Sequence, residues 1–483
     1  MANHRYPLES LFGRILSPFE QFLRRTTAGG IVLMMTTAAA LGLASALGTD
    51  VIHDFWTQSF SLSAGGRYNL ELSWHQWVND GLMALFFLLV GLELKREILV
   101  GELSSMKDAA LPVVAAVGGM IVPALIYAAF NGLTPTASGW GIPMATDIAF
   151  AVGILVLLAW RVPKNLIIFL TALAIADDLG AVLVIAIFYT ANLGVQYLGA
   201  AALLLLVLLL FNRGGIRNPL PYAVAGVLLW FAMHASGIHA TLAGILLAFT
   251  IPARPAHTPA QFEHRVDELQ TAFRADRRDA RTADDPLSNH RMASIAQAME
   301  HSAVAVQSPL QRIEHGLTPW VTFVVIPIFA LANAGIDLGG IAWGQALSSR
   351  VTMGVLTGLV IGKFVGITLF SWIAVRLGVA RLPSGVQWRH LMGAAWLAGI
   401  GFTMSLFIAQ LAFRDPEIVE QAKLGILLGS AISATIGLSW LVWAGSVGGG
   451  PNAGGAATQA PEQLEIGAYE AIAVVAKPGE RRS

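Results

Sequence analysis

The chain contains no cysteine, which excludes disulfides, thiolate nucleophiles and cysteine-ligated iron–sulfur clusters. Charge is also scarce. Asp, Glu, Lys and Arg make up 12% of the 483 residues, against roughly 25% in a soluble domain. The charge present cancels, 30 basic residues against 30 acidic, so the basic surface that a nucleic-acid partner requires is missing. Hydrophobic residues fill the place of the charged ones, at 55% of the chain, and they gather into many long apolar runs. That composition predicts an all-α polytopic membrane protein.

Runs of about 20 apolar residues predict twelve transmembrane helices, at 26–48, 77–97, 109–130, 141–160, 165–190, 196–212, 219–235, 239–252, 318–336, 352–376, 391–413 and 423–444. Arg24 and Arg25 before the first run, and Ala44-Ser45-Ala46 near its end, resemble a signal peptide. The run is nevertheless long enough to span, and is expected to remain as the first helix. Lys and Arg alternate between loops. Arg5, Arg14, Arg24, Arg25, Lys95, Arg96, Lys107, Arg161, Lys164, Arg213, Arg217, Arg376, Arg381 and Arg389 fall on one side, while 131–140 and 191–196 have neither residue. Basic loops face the cytoplasm, so both termini are expected there.

Residues 1–25 form a cytoplasmic N-terminal segment in this reading, followed by helices 1–8 over 26–252 and helices 9–12 over 318–444. Residues 49–76 lie outside. Asn69-Leu70-Glu71-Leu72-Ser73-Trp74 alternates like a strand and Gly65-Gly66 suits a hairpin turn. A lone hairpin is marginal, so pairing with a second copy of the chain, giving a homodimer, is expected. Residues 253–317 form a cytoplasmic insert. Its eight Arg nearly balance nine Asp plus Glu over 253–314, and 261–279 suits a surface helix. The tail 445–483 has the Gly-, Ala- and Pro-rich composition of a disordered segment.

Asp177 and Asp178 break the stretch 165–211, which is otherwise free of charge. Each charge in a bilayer costs roughly 2.5–3.5 kcal/mol on insertion scales, so the pair is expected to face an internal cavity and handle ions or protons. Neighbours on a helix point about 100° apart. One aspartate can therefore line a pathway while the other pairs across a helix interface. Close carboxylates titrate together, which suits a site that exchanges protons for a metal cation. Lys363, alone between Val351 and Val375, is the natural counter-charge. Gly354, Gly358, Gly362 and Gly366 recur every four residues beside it, and such a stripe of small residues lets another backbone approach closely. Gly362-Lys363 is no nucleotide-binding loop, because the Gly spacing is wrong and Phe364 replaces the Ser or Thr.

Two predicted spans look broken. Gly141-Ile-Pro143-Met-Ala-Thr146-Asp147 interrupts the fourth and Gly399-Ile-Gly401-Phe-Thr403-Met-Ser405 the eleventh. Unwound segments in a membrane survive only when buried or lining a cavity. Two of them in corresponding halves point to an inverted repeat with the site between. Asp147 can compensate exposed helix N-termini, and Thr146 can offer oxygen to a cation.

These motifs, together with Phe86-Phe-Leu-Leu-Val-Gly-Leu-Glu93 and Phe329-Ala-Leu-Ala-Asn-Ala-Gly335, resemble the NhaA family of bacterial sodium/proton antiporters, a well-known instance of the inverted-repeat architecture. The resemblance runs from about residue 20 to 444, apart from the insert. It implies crossed fourth and eleventh helices in the inner membrane, and Na⁺ or Li⁺ efflux driven by inward proton flow, with more protons than sodium ions per cycle. It implies no cofactor beyond the transported ions. Asp178 would be the main cation ligand, Asp177 would share the site and pair with Lys363, and Thr146 and Asp147 would belong to the crossing.

Glu93 and Glu97, four apart, are like charges whose titrations couple, and Lys95 and Arg96 are expected on other faces. The resemblance assigns pH sensing to Glu93 and Glu97 together with Glu314, His315 and His239. Gln311 and Thr318 replace the family's usual Lys and His, which bears on the pH set-point. Two other functions fit parts of the pattern. A sodium-coupled organic-anion symporter would need a large polar cavity, and an intramembrane aspartyl protease would need two carboxylates from separate helices, such as Asp147 with Asp178.

Overall fold

The computed structural model describes residues 26–64, 68–190, 194–277, 290–337, 339 and 343–447. The N-terminal segment 1–25, the Gly65-Gly66 turn and most of the tail 445–483 lie outside them.

The described residues begin with α1 (Thr26–Leu47) and α2 (Thr49–Thr57), followed by β1 (Ser59–Ala64) and β2 (Tyr68–Ser73). The strands pair antiparallel from Ser59 opposite Ser73 to Ala64 opposite Tyr68. The alternation at 69–74 thus does form a strand, of the same length but set one residue earlier, at 68–73. Trp74 leaves it because Ser73 caps the next turn, accepting from the Gln76 backbone N–H at 3.2 Å while its own N–H donates to Gln76 Oε1 at 2.9 Å. The nine-residue helix α2 was not foreseen from the sequence.

A π segment, Trp77–Leu82, leads into α3 (Met83–Val100). Then follow α4 (Met106–Asn131), a 3₁₀ stretch Ala137–Met144, α5 (Ile148–Leu157), α6 (Lys164–Phe188), α7 (Val195–Arg213), α8 (Pro219–Ser236) and α9 (Leu242–Thr250). The insert carries α10 (Pro259–Arg277) and α11 (His290–Val306). The helix expected over 261–279 is thus present, though only as far as Arg277 among the described residues. The chain returns through α12 (Pro309–Trp320), a π segment Val321–Val325 and α13 (Ile326–Asn333). The described residues end with α14 (Arg350–Thr357), a third π segment Gly358–Gly362, α15 (Lys363–Arg376), α16 (Trp388–Leu397), α17 (Phe402–Ala412) and α18 (Pro416–Val447). Local chemistry sets several of these bounds. Asn218 caps α8 by accepting from Leu220 N–H at 3.0 Å, Pro219 supplies a preset φ at its first position, and Gly237 ends it at φ +82°.

Among the described residues, nine helical stretches are long and apolar enough to cross a membrane, or ten counting α16 and α17, which meet at a 47° bend. The predicted spans 77–97 and 239–252 fall instead on α3, with its π entrance, and on the nine-residue α9.

The tightest seam lies between α4 and the α14–α15 rod. A methyl group added to Gly354 would come within 2.6 Å of Asn131 Nδ2, one on Gly358 within 2.7 Å of Pro143 Cβ, and one on Gly362 within 2.7 Å of Pro123 Cα. One on Gly366 would run into the Gly118 carbonyl, and one on Gly118 into the Gly366 carbonyl. Gly354, Gly362 and Gly366 therefore face α4, and Gly358 faces Pro143 of the 3₁₀ stretch with the Pro123 carbonyl of α4 behind it at 3.4 Å. A regular α-helix would not manage this, because steps of four residues drift by about 40° each, or about 120° from Gly354 to Gly366. The π segment, with its wider i→i+5 turns, offsets much of that drift.

Gly366→Ala should force α4 and α15 apart and lower stability by about 1–3 kcal/mol, the usual cost of overpacking. Gly199→Ala, at a helical site with nothing within 4 Å, should be neutral or slightly stabilising. Thermal melting in detergent compares them, and equal melting temperatures for Gly366→Ala and wild type would show the seam to be looser than its geometry.

Candidate functional site

The site forms where the two broken spans cross. The 3₁₀ stretch ends at Met144, the chain is extended through Ala145–Asp147, and α5 begins at Ile148. The other break, Ala398–Gly401, separates α16 from α17. Each unwound strand satisfies polar groups of the other. Asp147 N–H donates to the Ile400 carbonyl at 2.6 Å, and Ser405 Oγ donates to the Ile142 carbonyl at 2.7 Å. Ser430 of α18 completes the crossing, its Oγ accepting from Phe402 N–H at 3.2 Å.

The Asp147 carboxylate binds two helix starts at once. Oδ1 accepts from Phe150 N–H of α5 at 3.1 Å. Oδ2 accepts from Thr403 N–H at 3.0 Å and from the Thr403 hydroxyl at 2.6 Å. A negative group between two positive helix ends is electrostatically favoured. With both oxygens so engaged, Asp147 is poorly placed to act as half of a protease dyad with Asp178.

Asp177 and Asp178 lie mid-way along α6, both fully buried. The angular offset of adjacent helix residues sends them to different surroundings. Asp177 Oδ2 accepts from Lys363 Nζ, an ion pair with no exposure on either side chain. Thr146 sits against the same pair. Its hydroxyl accepts from Lys363 Nζ at 3.0 Å and faces Asp177 Oδ2 at 2.7 Å and the Ala398 carbonyl at 2.9 Å. A hydroxyl has one proton, so it donates to one of these two oxygens at a time. Asp178 is different. Neither of its oxygens has a hydrogen-bond partner among the described residues, and the same is true of Asp177 Oδ1. The charges close enough to act on Asp178 are those of Asp177, Asp147, Lys363 and Glu93. Buried polar atoms without partners are rare in native proteins, and a carboxylate in that condition is suited to take up a proton or a cation.

A second cluster joins α3 to α12. Arg96 Nη2 lies 3.3 Å from Glu97 Oε1 and Arg96 Nε lies 3.5 Å from Glu314 Oε1. Glu314 is buried, and Glu93 and His315 are close enough to act on it electrostatically. The expectation that Arg96 lies on another face is corrected here. Arg96 lies three positions after Glu93, about 60° round α3 and so on the same flank, and its guanidinium also reaches Glu314 of α12, whose packing against α3 the sequence does not disclose. Lys95 takes a structural part, its Nζ donating to the carbonyls of Phe249, at 2.7 Å, and Ile251 at the end of α9. Gln311 belongs to the Ser308 cap of α12, and Thr318 Oγ1 donates to the Glu314 carbonyl at 2.7 Å. His239 stands apart from this cluster, with Nε2 2.6 Å from the Tyr189 carbonyl just past the end of α6. Arg96, Ser430 and the capping role of Lys95 were missed by sequence reasoning, because each is defined by a neighbouring helix and not by a local pattern.

The sequence profile of the family described as "Na+/H+ antiporter 1" matches residues 20–441, a span that takes in the insert. The chain is 64% identical over 443 residues to a protein named Na(+)/H(+) antiporter NhaA from Syntrophobacter fumaroxidans, covering 92% of this chain and 94% of that one. It is 61% identical to a protein of the same name from Acidithiobacillus ferrooxidans, over 88% and 97% of the two chains. Na(+)/H(+) antiporter NhaA 1 of Saccharophagus degradans is 50% identical, over 91% and 95%. With apolar helices throughout, the crossed breaks and this similarity over nearly its whole length, the chain is a multi-pass bacterial membrane protein and a member of the Na⁺/H⁺ antiporter 1 family.

Proposed function

We propose that the protein exchanges Na⁺ or Li⁺ for protons at Asp178, with Asp177, Thr146, Lys363 and Asp147 as the rest of the site. The observation that carries this reading is the contrast between the two aspartates. Asp177 is held by Lys363, whereas both oxygens of Asp178 are buried without a hydrogen-bond partner. A carboxylate in that state needs a positive charge, and either a proton or an alkali cation supplies it. The two ligands therefore compete, and competition between them for one carboxylate is the minimum requirement of an antiporter. Lys363 keeps Asp177 charged and offers a second position at which protons can be held, which supports electrogenic exchange with more protons than sodium ions per cycle. No cofactor enters the scheme.

The crossing supports alternating access about a fixed site, since the two half-helix pairs meet at Asp147 and can rock without breaking regular helix bonds. Twelve spans, with α3 and α9 counted among them, and an inner-membrane location with both termini cytoplasmic complete the reading. In it, 1–25, the insert 253–317 and the tail 445–483 are cytoplasmic, 49–76 is external, and the hairpin β1–β2 joins two copies into a homodimer. Glu93, Glu97, Glu314, His315 and His239 set the pH response, with Arg96 as the bridge within the first four.

Asp178→Asn should abolish proton-coupled ²²Na⁺ uptake into proteoliposomes while the protein stays folded and monodisperse. Uptake near wild-type level would remove Asp178 from the centre of the mechanism.

Lys363→Ala should lower both activity and stability, by about 3–5 kcal/mol for a buried pair that loses one member. Adding Asp177→Asn should recover part of the loss, because the stranded charge goes with it. Melting curves of the two single variants and the double variant measure the coupling, and strictly additive losses would argue against a functional pair.

Glu97→Gln should displace the pH profile of exchange more than the maximal rate, since Glu97 contacts Arg96 and not the mid-membrane aspartates. An unmoved profile with a collapsed rate would place Glu97 in the ion pathway instead.

A further inference from the structure

One face of the molecule carries positive charge with nothing to balance it. Residues 148–176, 338–414 and 421–447 contain no Asp or Glu. Four basic side chains from these stretches come to the same end of the bundle. Arg161 follows α5 and lies against the end of α18, where a methyl group on Gly445 would be 3.0 Å from its carbonyl oxygen. Lys164 opens α6, and Asn165 beside it donates to the Ser384 carbonyl at 2.8 Å. That bond places Arg381 and the loop before α16 next to the start of α6. Arg389, in the first turn of α16, is tied to α18 by Trp440 Nε1, which donates to its carbonyl at 2.9 Å. None of the four forms an ion pair among the described residues, and Arg389 Nε is buried without a partner.

The surroundings specify what could balance them. The Arg161 guanidinium lies over the Trp160 ring at 4.1 Å. Trp160 is 73% exposed and Trp443, near the end of α18, 53% exposed. Exposed tryptophans at helix ends occupy the headgroup level of a bilayer. The start of α6 has neither a side-chain cap nor an acidic residue in its first turn, so its backbone N–H groups add to the attraction for an anion. A basic pocket between helix ends at this depth, flanked by amphipathic rings, is suited to a phosphate group that carries acyl chains.

We propose that Arg161, Lys164, Arg381 and Arg389 form a binding site for the headgroup phosphate of an anionic phospholipid. The lipid would bridge α5, α6, α16 and α18. Three of these lead directly into the crossing or carry the buried aspartates, so the lipid would fasten the ends of the elements that hold the ion site. The proposal does not depend on which residue binds the transported cation.

The test uses the purified full-length protein in a neutral detergent, with lipid binding followed by native mass spectrometry and by melting temperature. Phosphatidylglycerol should bind and raise the melting temperature, and phosphatidylcholine should do so far less. The variant Arg161→Gln, Lys164→Gln, Arg389→Gln should bind phosphatidylglycerol at least roughly tenfold more weakly, given the usual contribution of each basic residue at an anionic surface. A control with the same change in net charge, Arg265→Gln, Arg274→Gln, Arg291→Gln in the insert, should bind like wild type. If the first variant does not fold, Lys164→Gln with Arg381→Gln, both at exposed positions, is measured the same way and should also weaken binding. Equal loss in the control would reduce the effect to net charge and overturn the site. So would unchanged binding in the folded site variants, or the same melting shift from inorganic phosphate alone.

Discussion

A lysine ammonium held against an aspartate, with no exposure on either side chain, is the interaction on which the rest of the membrane core depends. Two such charges leave water at a cost of several kcal/mol each even after relaxation, and only close geometry offsets it. Lys363 must therefore arrive at Asp177 from a helix packed almost backbone to backbone against its neighbour. The glycine stripe supplies that approach, and the π segment before Lys363 keeps the stripe turned toward α4 and the neighbouring Pro143. Sequence, helix type and charge placement are thus one solution. Widening the seam would move the ammonium away from the carboxylate, and removing one member of the pair would leave the seam closed around an uncompensated charge.

The crossing solves a related problem without a formal ion pair. Breaking two helices in mid-membrane leaves N–H and C=O groups that lipid cannot satisfy. Each strand of the crossing answers the needs of the other, and Asp147 places one carboxylate between two positive helix ends. Thr146 links the two devices. Its hydroxyl meets Lys363 and Asp177 on one side and the Ala398 carbonyl of the broken span on the other. A change in the charge state of the pair therefore reaches the crossing through a single hydroxyl, which must choose between two acceptors.

Much of this was legible in the chain because the bilayer makes polar residues conspicuous. Asp177, Asp178 and Lys363 stand out as charges in apolar runs, the breaks as Gly, Pro and hydroxyl residues where helix formers are expected, and the stripe as a period of four. All are local signals, and the structure brings the residues that carry them together. What was not legible lies between helices. Arg96 has Glu97 beside it on its own helix, and only the packing of α12 against α3 gives its guanidinium the second carboxylate, Glu314. Helix α2 is short and mixed in polarity, so no periodic run announced it. The ends of α12 and α18 extend beyond the apolar runs at 318–336 and 423–444, because hydropathy measures lipid contact while helix bonds continue into polar sequence up to a cap such as Ser308.

The adjacency of Asp177 and Asp178 has a consequence that neither residue would have alone. The two neighbours point about 100° apart on α6, and here Lys363 meets Asp177 while both oxygens of Asp178 are left open. The open one then lies in the field of a pair that nearly cancels, and a small cation or a proton decides its charge. Had the two been four residues apart on one face, Lys363 could have reached both, and neither would have been available to a passing ion. In the exchange proposed above, their spacing of one residue would separate holding the helices together from exchanging the ligand, while keeping the two tasks close enough for each to sense the other.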